Sequence, residues 1–220
     1  MEVLLSVSPE LGGRLRLGLL TLAGVAVRDG DPALTAEVDR LCASLRERYG
    51  GGRSAEVPGA ADARSLYKAF GIDPTKTRPS NEALLRRALK GEPLYRINTL
   101  VDALNLCSLR EQLPFGLYDL DRVRPPVVLR RGEANESYEG IRKGPVNVGG
   151  RPVLVDAEGP FGNPTSDSAR TMVTQETRSA LVVAYAPAGY SPDRLESVLE
   201  RTEETLVRHC GGERTDRRII

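Results

Sequence analysis

Residues 97–121, INTLVDALNLCSLREQLPFGLYDLD, decide how the rest of the chain is read. At 3.6 residues per turn, Asn98, Asp102 and Asn105 fall on one face, at spacings of i, i+4 and i+7. Ile97, Leu100, Val101, Leu104 and Cys107 cover most of the remainder, so the stretch reads as a mostly apolar helix carrying a polar stripe. Two readings fit the stripe. Its two amides and one carboxylate cap neighbouring loop backbone, because buried polar groups must find partners, or they line a ligand pocket; both can hold at once. The following LPFGLYDLD reads as an ordered turn.

On the N-terminal side, residues 2–8 and 15–28 read as strands, the second apolar on both faces and therefore central in a sheet. Asp31-Pro32 supplies an N-cap and a first-turn proline, and Leu34, Val38, Leu41, Leu45 and Tyr49 follow at helical spacing until Gly50. RSAEVPGAAD reads as a loop and ARSLYKAF as a short helix stopped by Gly71. Asp73-Pro74 and Arg78-Pro79 keep the chain out of helix until Ser80, the expected N-cap of a helix that ends at Gly91.

From residue 126 the period changes to two. PPVVLRR, GPVNV, RPVLVD and SALVVAY read as strands, with DAEG (156–159) as a hairpin tip. Ser191-Pro192 opens a last helix, and GGERTDRRII reads as a frayed tail. The fold class expected is α/β (α+β): a single layered domain over residues 1–220, with a mixed β-sheet covered by helices. Within it, 1–60 supplies N-terminal strands and a helix, 64–187 the core, and 188–220 the C-terminal helix and tail.

Composition narrows the function classes. With 40% hydrophobic and 28% charged residues the 220-residue chain is an ordinary globular protein. A formal net charge of +1 gives no global basic field, so any RNA contact would depend on local clusters. The densest holds Arg78, Arg86, Arg87, Lys90 and Arg96; the other reading is a solvated helix face. Three scattered cysteines without a C-x-x-C pair read as reduced thiols of a cytoplasmic protein, and the longest apolar run, 17–27, is too short for a bilayer. The single histidine, His209, rules out a histidine metal cluster, and its place late in the last helix reads as a favourable C-terminal charge.

A second polar concentration is GPFGNPTSDSARTMVTQET, 159–177, between two apolar strands. It offers Asn163, Thr165, Ser166, Asp167, Ser168, Arg170, Thr171, Thr174 and Thr177, on a loop of the kind that carries binding groups. No Gly-rich phosphate loop with a lysine is present. Asp119 and Asp121 could hold Mg²⁺, or equally hold their turn or pair with Arg122 and Arg124. Hydroxyls, amides and scattered acids suit the orientation of a small polar substrate and a water. No metal and no cofactor is expected.

RPSNEALLRRALKGEPLYRINTLVDALNLCSLREQLPFGLYDLDRV, with GRPVLVDAEG and SDSARTMVTQETRSALVVAY, resembles the B3/B4 domain of the bacterial phenylalanyl-tRNA synthetase beta subunit. The resemblance covers roughly residues 64–187 and implies a B3/B4-like fold and a free-standing member of that family. In the synthetase this domain hydrolyses tyrosine wrongly esterified to tRNA. The resemblance therefore implies hydrolysis of a mischarged aminoacyl-tRNA in trans, with the aminoacylated 3′ end of tRNA as partner and neither DNA nor membrane. It places the pocket at Asn98, Asp102, Asn105, Gly116, Asp119, Asp167, Ser168, Arg170, Thr171 and Thr174, without assigning a catalytic group. For tRNA contact the candidates are Arg78, Arg86, Arg87, Lys90 and Arg96.

Two departures argue against tyrosine as the substrate. Gly116 replaces the family's pocket histidine, and Ala169, with Asp167 nearby, stands where an acid reads the tyrosine hydroxyl. Asp167, Ser168, Arg170 and Thr171 become the candidates for an altered specificity. The alternatives are a non-catalytic RNA-binding module and a binder of a free amino acid or similar metabolite.

Overall fold

The computed structural model describes residues 4–220. Along the chain run β1 (Leu5–Val7), β2 (Leu15–Ala23), α1 (Pro32–Tyr49), α2 (Ala60–Ala69), α3 (Ser80–Lys90), α4 (Thr99–Glu111) and β3 (Phe115–Asp119). The second half holds β4 (Val127–Arg131), β5 (Ser137–Gly140), β6 (Lys143–Asn147), β7 (Pro152–Asp156), β8 (Gly159–Asn163) and β9 (Ser166–Asp167). It closes with β10 (Ser179–Pro187), α5 (Pro192–Cys210) and β11 (Glu213–Ile219). Of the first expected strand, residues 2 and 3 lie outside the described residues.

The fold is a mixed α/β arrangement of three layers. A four-stranded antiparallel sheet, ordered β11-β2-β10-β3, forms the middle. Alternation along its strands sends Leu20, Leu22, Val182 and Ala184 into one core, shared with buried residues of α1, α3, α4 and α5. Leu17, Leu19, Leu181, Val183 and Tyr185 enter a second core on the other face. That core is closed by α2 and by a five-stranded sheet, β1-β4-β7-β8-β9, made mixed by the parallel β1–β4 pair. The expected mixed sheet is thus the outer layer, and a second sheet separates it from most of the helices. Being covered on both sides is why β2 and β10 read as unbroken apolar runs. At Gly18, α5 lies so close that a β-carbon would meet Leu199 Cδ2 at 3.0 Å.

Four local readings change. LPFGLYDLD is not only a turn: Phe115–Asp119 is an edge strand paired with β10. Ser80 is the first helical residue and not the cap; Pro79 precedes it without a side-chain bond. The hairpin of β5 and β6 begins earlier than the expected strand 144–148. The C-terminal segment is not frayed: β11 pairs with β2 from Glu213 to Ile219. Its Arg217 reaches three glutamates of α5, Glu196 at 2.7 Å, Glu203 at 2.8 Å and Glu200 at 3.0 Å.

Arg217→Ala removes the cation shared by the three acids and leaves Arg214, 3.5 Å from Glu203, to offset them. The expected loss is about 1–2 kcal/mol, discounted for the solvent around Glu196 and Glu200. A urea midpoint that does not move would show that the tail is held by its backbone ladder alone.

The other helix signals hold. Asp31 caps α1, its carboxylate accepting from Ala33 N at 2.8 Å and Leu34 N at 3.2 Å. His209, at the end of α5, is buried, with its Nδ1 3.3 Å from Asp31 and its Nε2 3.2 Å from Glu37. It joins the last helix to the first. The three cysteines are free, and burial raises the Cys107 thiol to about 11, which leaves it inert. Among the described residues, no helix is long and apolar enough to cross a membrane.

Candidate functional site

A cavity of about 500 Å³ opens between the start of α4, β3, the tip of the β5–β6 hairpin and the loop after β9. It joins the two stretches that the sequence marks as polar, 97–121 and 159–177. Its wall is largely apolar, with Val101, Leu104, Phe115, Leu117 and Val173 inside and Ile97 and Ile141 at the surface. Asn98, Asn105, Asp167 and Thr174 supply polar groups, together with Gln175 and Arg142. An apolar space of this size with a few convergent polar groups is the usual form of a small-molecule site.

The polar stripe of α4 does both jobs proposed for it. Asn98 is the N-cap, its side-chain oxygen accepting from Val101 N at 3.0 Å, and it lines the cavity as well. Asp102 accepts from Ile97 N at 3.1 Å and stays out of the lining; burial raises its pKa. Asn105 lines the cavity from the next turn.

Asp167 is the one carboxyl group in the lining. Its Oδ2 accepts from Leu117 N at 3.4 Å, whereas its Oδ1 is buried with no hydrogen-bond partner. Burial pushes its pKa up to about 7, opposed by the nearby Tyr118 hydroxyl and the Leu117 N–H. A carboxyl group there changes charge near neutrality.

The hairpin tip is fastened over this wall. Tyr138 donates its hydroxyl hydrogen to Ser166 O, Lys143 Nζ donates to Ser166 Oγ at 2.6 Å, and Ala169 N donates to Glu139 O at 2.9 Å. Arg142, at the tip with a φ of 52°, makes no hydrogen bond or ion pair among the described residues. Neither Ile141 nor Arg142 was marked by the sequence, because Tyr138 is the sole large apolar residue of β5.

Other candidates lie outside the lining. Arg170 is a tether: its Nη2 lies 2.8 Å from Asp156 Oδ1, and its Nη1 reaches Asp156 Oδ2, Glu158 and Arg122 O. Its partner is thus not Asp167. Ser168 and Thr171 are buried with their hydroxyls 2.9 Å apart. Asp119 holds its turn, accepting from Asp121 N at 3.1 Å and Thr177 Oγ1 at 2.7 Å. Thr177 Oγ1 also accepts from Thr174 N at 3.0 Å, which accounts for the T-x-x-T spacing.

Gly116 faces away from the cavity, toward the second core. A β-carbon there would overlap the Tyr118 side chain, at 2.7 Å from Cζ. Phe115 and Leu117, on the opposite face of β3, are the ones that line the cavity.

The five expected tRNA-contacting cations also divide. Arg87 bonds to Pro93 O and Tyr95 and pairs with Glu92, Arg96 pairs with Asp39 at 2.8 Å, and Lys90 stands 3.7 Å from Glu92. Arg78 and Arg86 form no ion pair among the described residues.

The layered α/β fold carries a largely apolar cavity with a single carboxyl group in its lining. The B3/4 domain family matches residues 62–211, well over half of the chain, and the chain belongs to that family. Every residue lining the cavity falls inside this span. Among solved structures, the chain is similar to an N-terminal fragment of the phenylalanyl-tRNA synthetase beta subunit from Pyrococcus horikoshii. The TM-score is 0.52 at 16% identity, over 97% of this chain and 50% of that one. The likeness is one of fold, and it extends beyond the family match to nearly the whole chain. The chain spans half the length of that structure. A comparison with curated proteins finds no match.

Proposed function

We propose that the cavity receives the aminoacyl end of a tRNA and hydrolyses the ester of a mischarged species in trans. The observation carrying this reading is the cavity's position. It lies wholly within the B3/4 span and joins the two polar stretches. The apolar wall suits an amino-acid side chain, and the Asn98 and Asn105 amides suit its ester and ammonium groups.

In the hydrolysis, water attacks the ester carbonyl carbon, the carbon–oxygen bond to the ribose breaks, and the ribose oxygen leaves as a hydroxyl. In this reading Asp167, its carboxyl raised to about 7, takes the proton from that water as a general base and returns it to the leaving ribose oxygen. Arg142, unpaired at the rim, suits a phosphate of the terminal nucleotide. The chain acts as one domain in this reading.

The test is deacylation of a panel of correctly and incorrectly charged tRNAs by the purified protein, with Asn105→Ala beside it. Selective cleavage of one mischarged species, reduced at least about 10-fold in the variant, is the expected result. Uniform inactivity, at enzyme levels where a known editing domain works, removes the hydrolase reading.

The predominantly apolar lining also favours a second reading, a binder of a free amino acid or similar metabolite. Thermal stabilisation by a free amino acid, without tRNA affinity, distinguishes it.

A further inference from the structure

A second cavity, of about 640 Å³, shares no lining residue with the first. It lies between the 3-10 turn Ser54–Glu56, α2, the segment 75–78 and the outer face of α3. Five cations line it, Arg53, Arg64, Arg78, Arg86 and Lys90, against two acids, Glu56 and Glu82.

Both acids are already taken. Glu56 pairs with Arg53 at 2.9 Å. Glu82 is 3% exposed; its Oε1 accepts from Ser54 Oγ at 2.8 Å and from Arg64 Nη1 at 2.9 Å, and its Oε2 from Arg64 Nη1 at 2.9 Å. Arg78 and Arg86 therefore face the cavity without an acid partner, while Lys90 stands 3.7 Å from Glu92, which lies outside this lining. Arg78 Nε is buried and has no hydrogen-bond partner. A buried donor left unmade is costly, and an anion entering the cavity would satisfy it.

The basic lining continues. A neighbouring groove is lined by Arg78, Arg86 and Lys90 again, now with Arg87, against one acid, Glu92, which pairs with Arg87 at 3.2 Å, and it includes Tyr95. Tyr95 is 61% exposed, with the Arg87 guanidinium 4.3 Å from its ring centre on one face. Guanidinium groups in a row with an exposed aromatic ring beside them are the two elements that hold single-stranded nucleotides: one for the phosphates, one for a base.

We propose that this track, Arg78–Arg86–Lys90 with Tyr95, binds consecutive phosphate groups of a nucleotide ligand and stacks one base. A single strand of RNA is the occupant that the length of the track favours, because two adjoining hollows share the same three cations. The proposal is independent of the ester-binding reading. Hydrolysis can fail while this binding stands, and the reverse, because the two cavities have separate walls.

The test is fluorescence anisotropy of a labelled, short single-stranded RNA with the full chain, titrated between about 50 and 200 mM salt. Arg78→Ala/Arg86→Ala is expected to weaken binding at least about 10-fold and to flatten the log–log salt slope by about 1.4, two phosphates' worth. Tyr95→Ala is expected to weaken binding about 5-fold or more with the slope unchanged, because stacking releases no counterions. Arg86→Lys keeps the charge at a half-buried position of α3, so it retains most of the binding and guards against a folding defect. Competition with ATP separates the sources of the same chemistry. Displacement at equal concentration assigns the site to a free nucleotide, and no displacement assigns it to a strand. Equal RNA affinity for the wild type and the double variant, or no binding at the lower salt, overturns the proposal.

Discussion

Asp167→Asn is expected to remove ester hydrolysis and, in the same protein, to raise stability above pH 7. The two effects share a cause. Burial raises the Asp167 carboxyl from 3.8 to about 7, and Oδ1 has no partner to offset its charge. Between these values the folded state keeps a proton that the unfolded chain has released. The group's contribution to stability is therefore full at low pH and is lost as pH rises through about 7. Above that pH an unpaired charge is buried, and a neutral amide of the same shape relieves it. The shift sets an upper limit of about 4 kcal/mol, and water in the cavity reduces the expected gain to about 1–3 kcal/mol. Urea midpoints at about pH 3.5 and pH 8 measure it: little change at the first, where both states are mostly protonated, a rise at the second.

Hydrolysis runs the other way, because a base must be ionised. The wild-type rate should climb through about pH 7, and the Asn variant should lose about 10²- to 10⁴-fold. An Asn variant as active as the wild type would remove Asp167 from the chemistry.

Gly116→His would restore the histidine that the family resemblance puts at this position, and it is expected to abolish stable folding. The β-carbon would meet Tyr118 Cζ at 2.7 Å and Cε2 at 2.8 Å. The ring has nowhere to go. It is fully buried, stands edge-on to Phe161 with ring centres 4.9 Å apart, and covers Gly162 on its other side. Its hydroxyl lies 3.3 Å from that of Tyr185. Gly116→Ala alone should cost about 3 kcal/mol by overpacking. Combined with Tyr118→Ala, it should cost less than the sum of the two single changes, since the clash is then gone. Thermal or urea unfolding of the four proteins decides the matter, and additive costs would show that the ring does not oppose the β-carbon. The missing histidine is thus linked to a tyrosine two residues on, and cannot be put back by itself.

The helices were legible because their signals are local. Asp31-Pro32, the Gly91 terminus and Ser191-Pro192 each act within one turn, and all three stand where they were read. β2 and β10 were legible because both their faces are buried. β11 was not, because an edge strand that faces acidic α5 through Arg217 carries no apolar alternation. β3 was hidden because Gly116 and the Phe115-Leu117 side use its two faces differently.

In the site, the stripe and the loop were found because polar residues stood where apolar ones were expected. Arg170 was placed in the pocket because its acceptors, Asp156 and Glu158, come from a hairpin whose approach no local spacing announces. Ile141 and Arg142 were missed for the same reason.

The sheet order also sets a timetable for the nascent chain. Among the described residues β3 pairs only with β10, and β2 only with β10 and β11, so neither has a strand partner until residues 179–187 leave the ribosome. At about 5–20 residues per second, β2 waits some ten seconds or more while the outer sheet and the helices between are being made. One wall of the first cavity is therefore assembled near the end of synthesis. The Phe115 and Leu117 part of its apolar lining is without its final partner strand from the making of β3 until β10 follows.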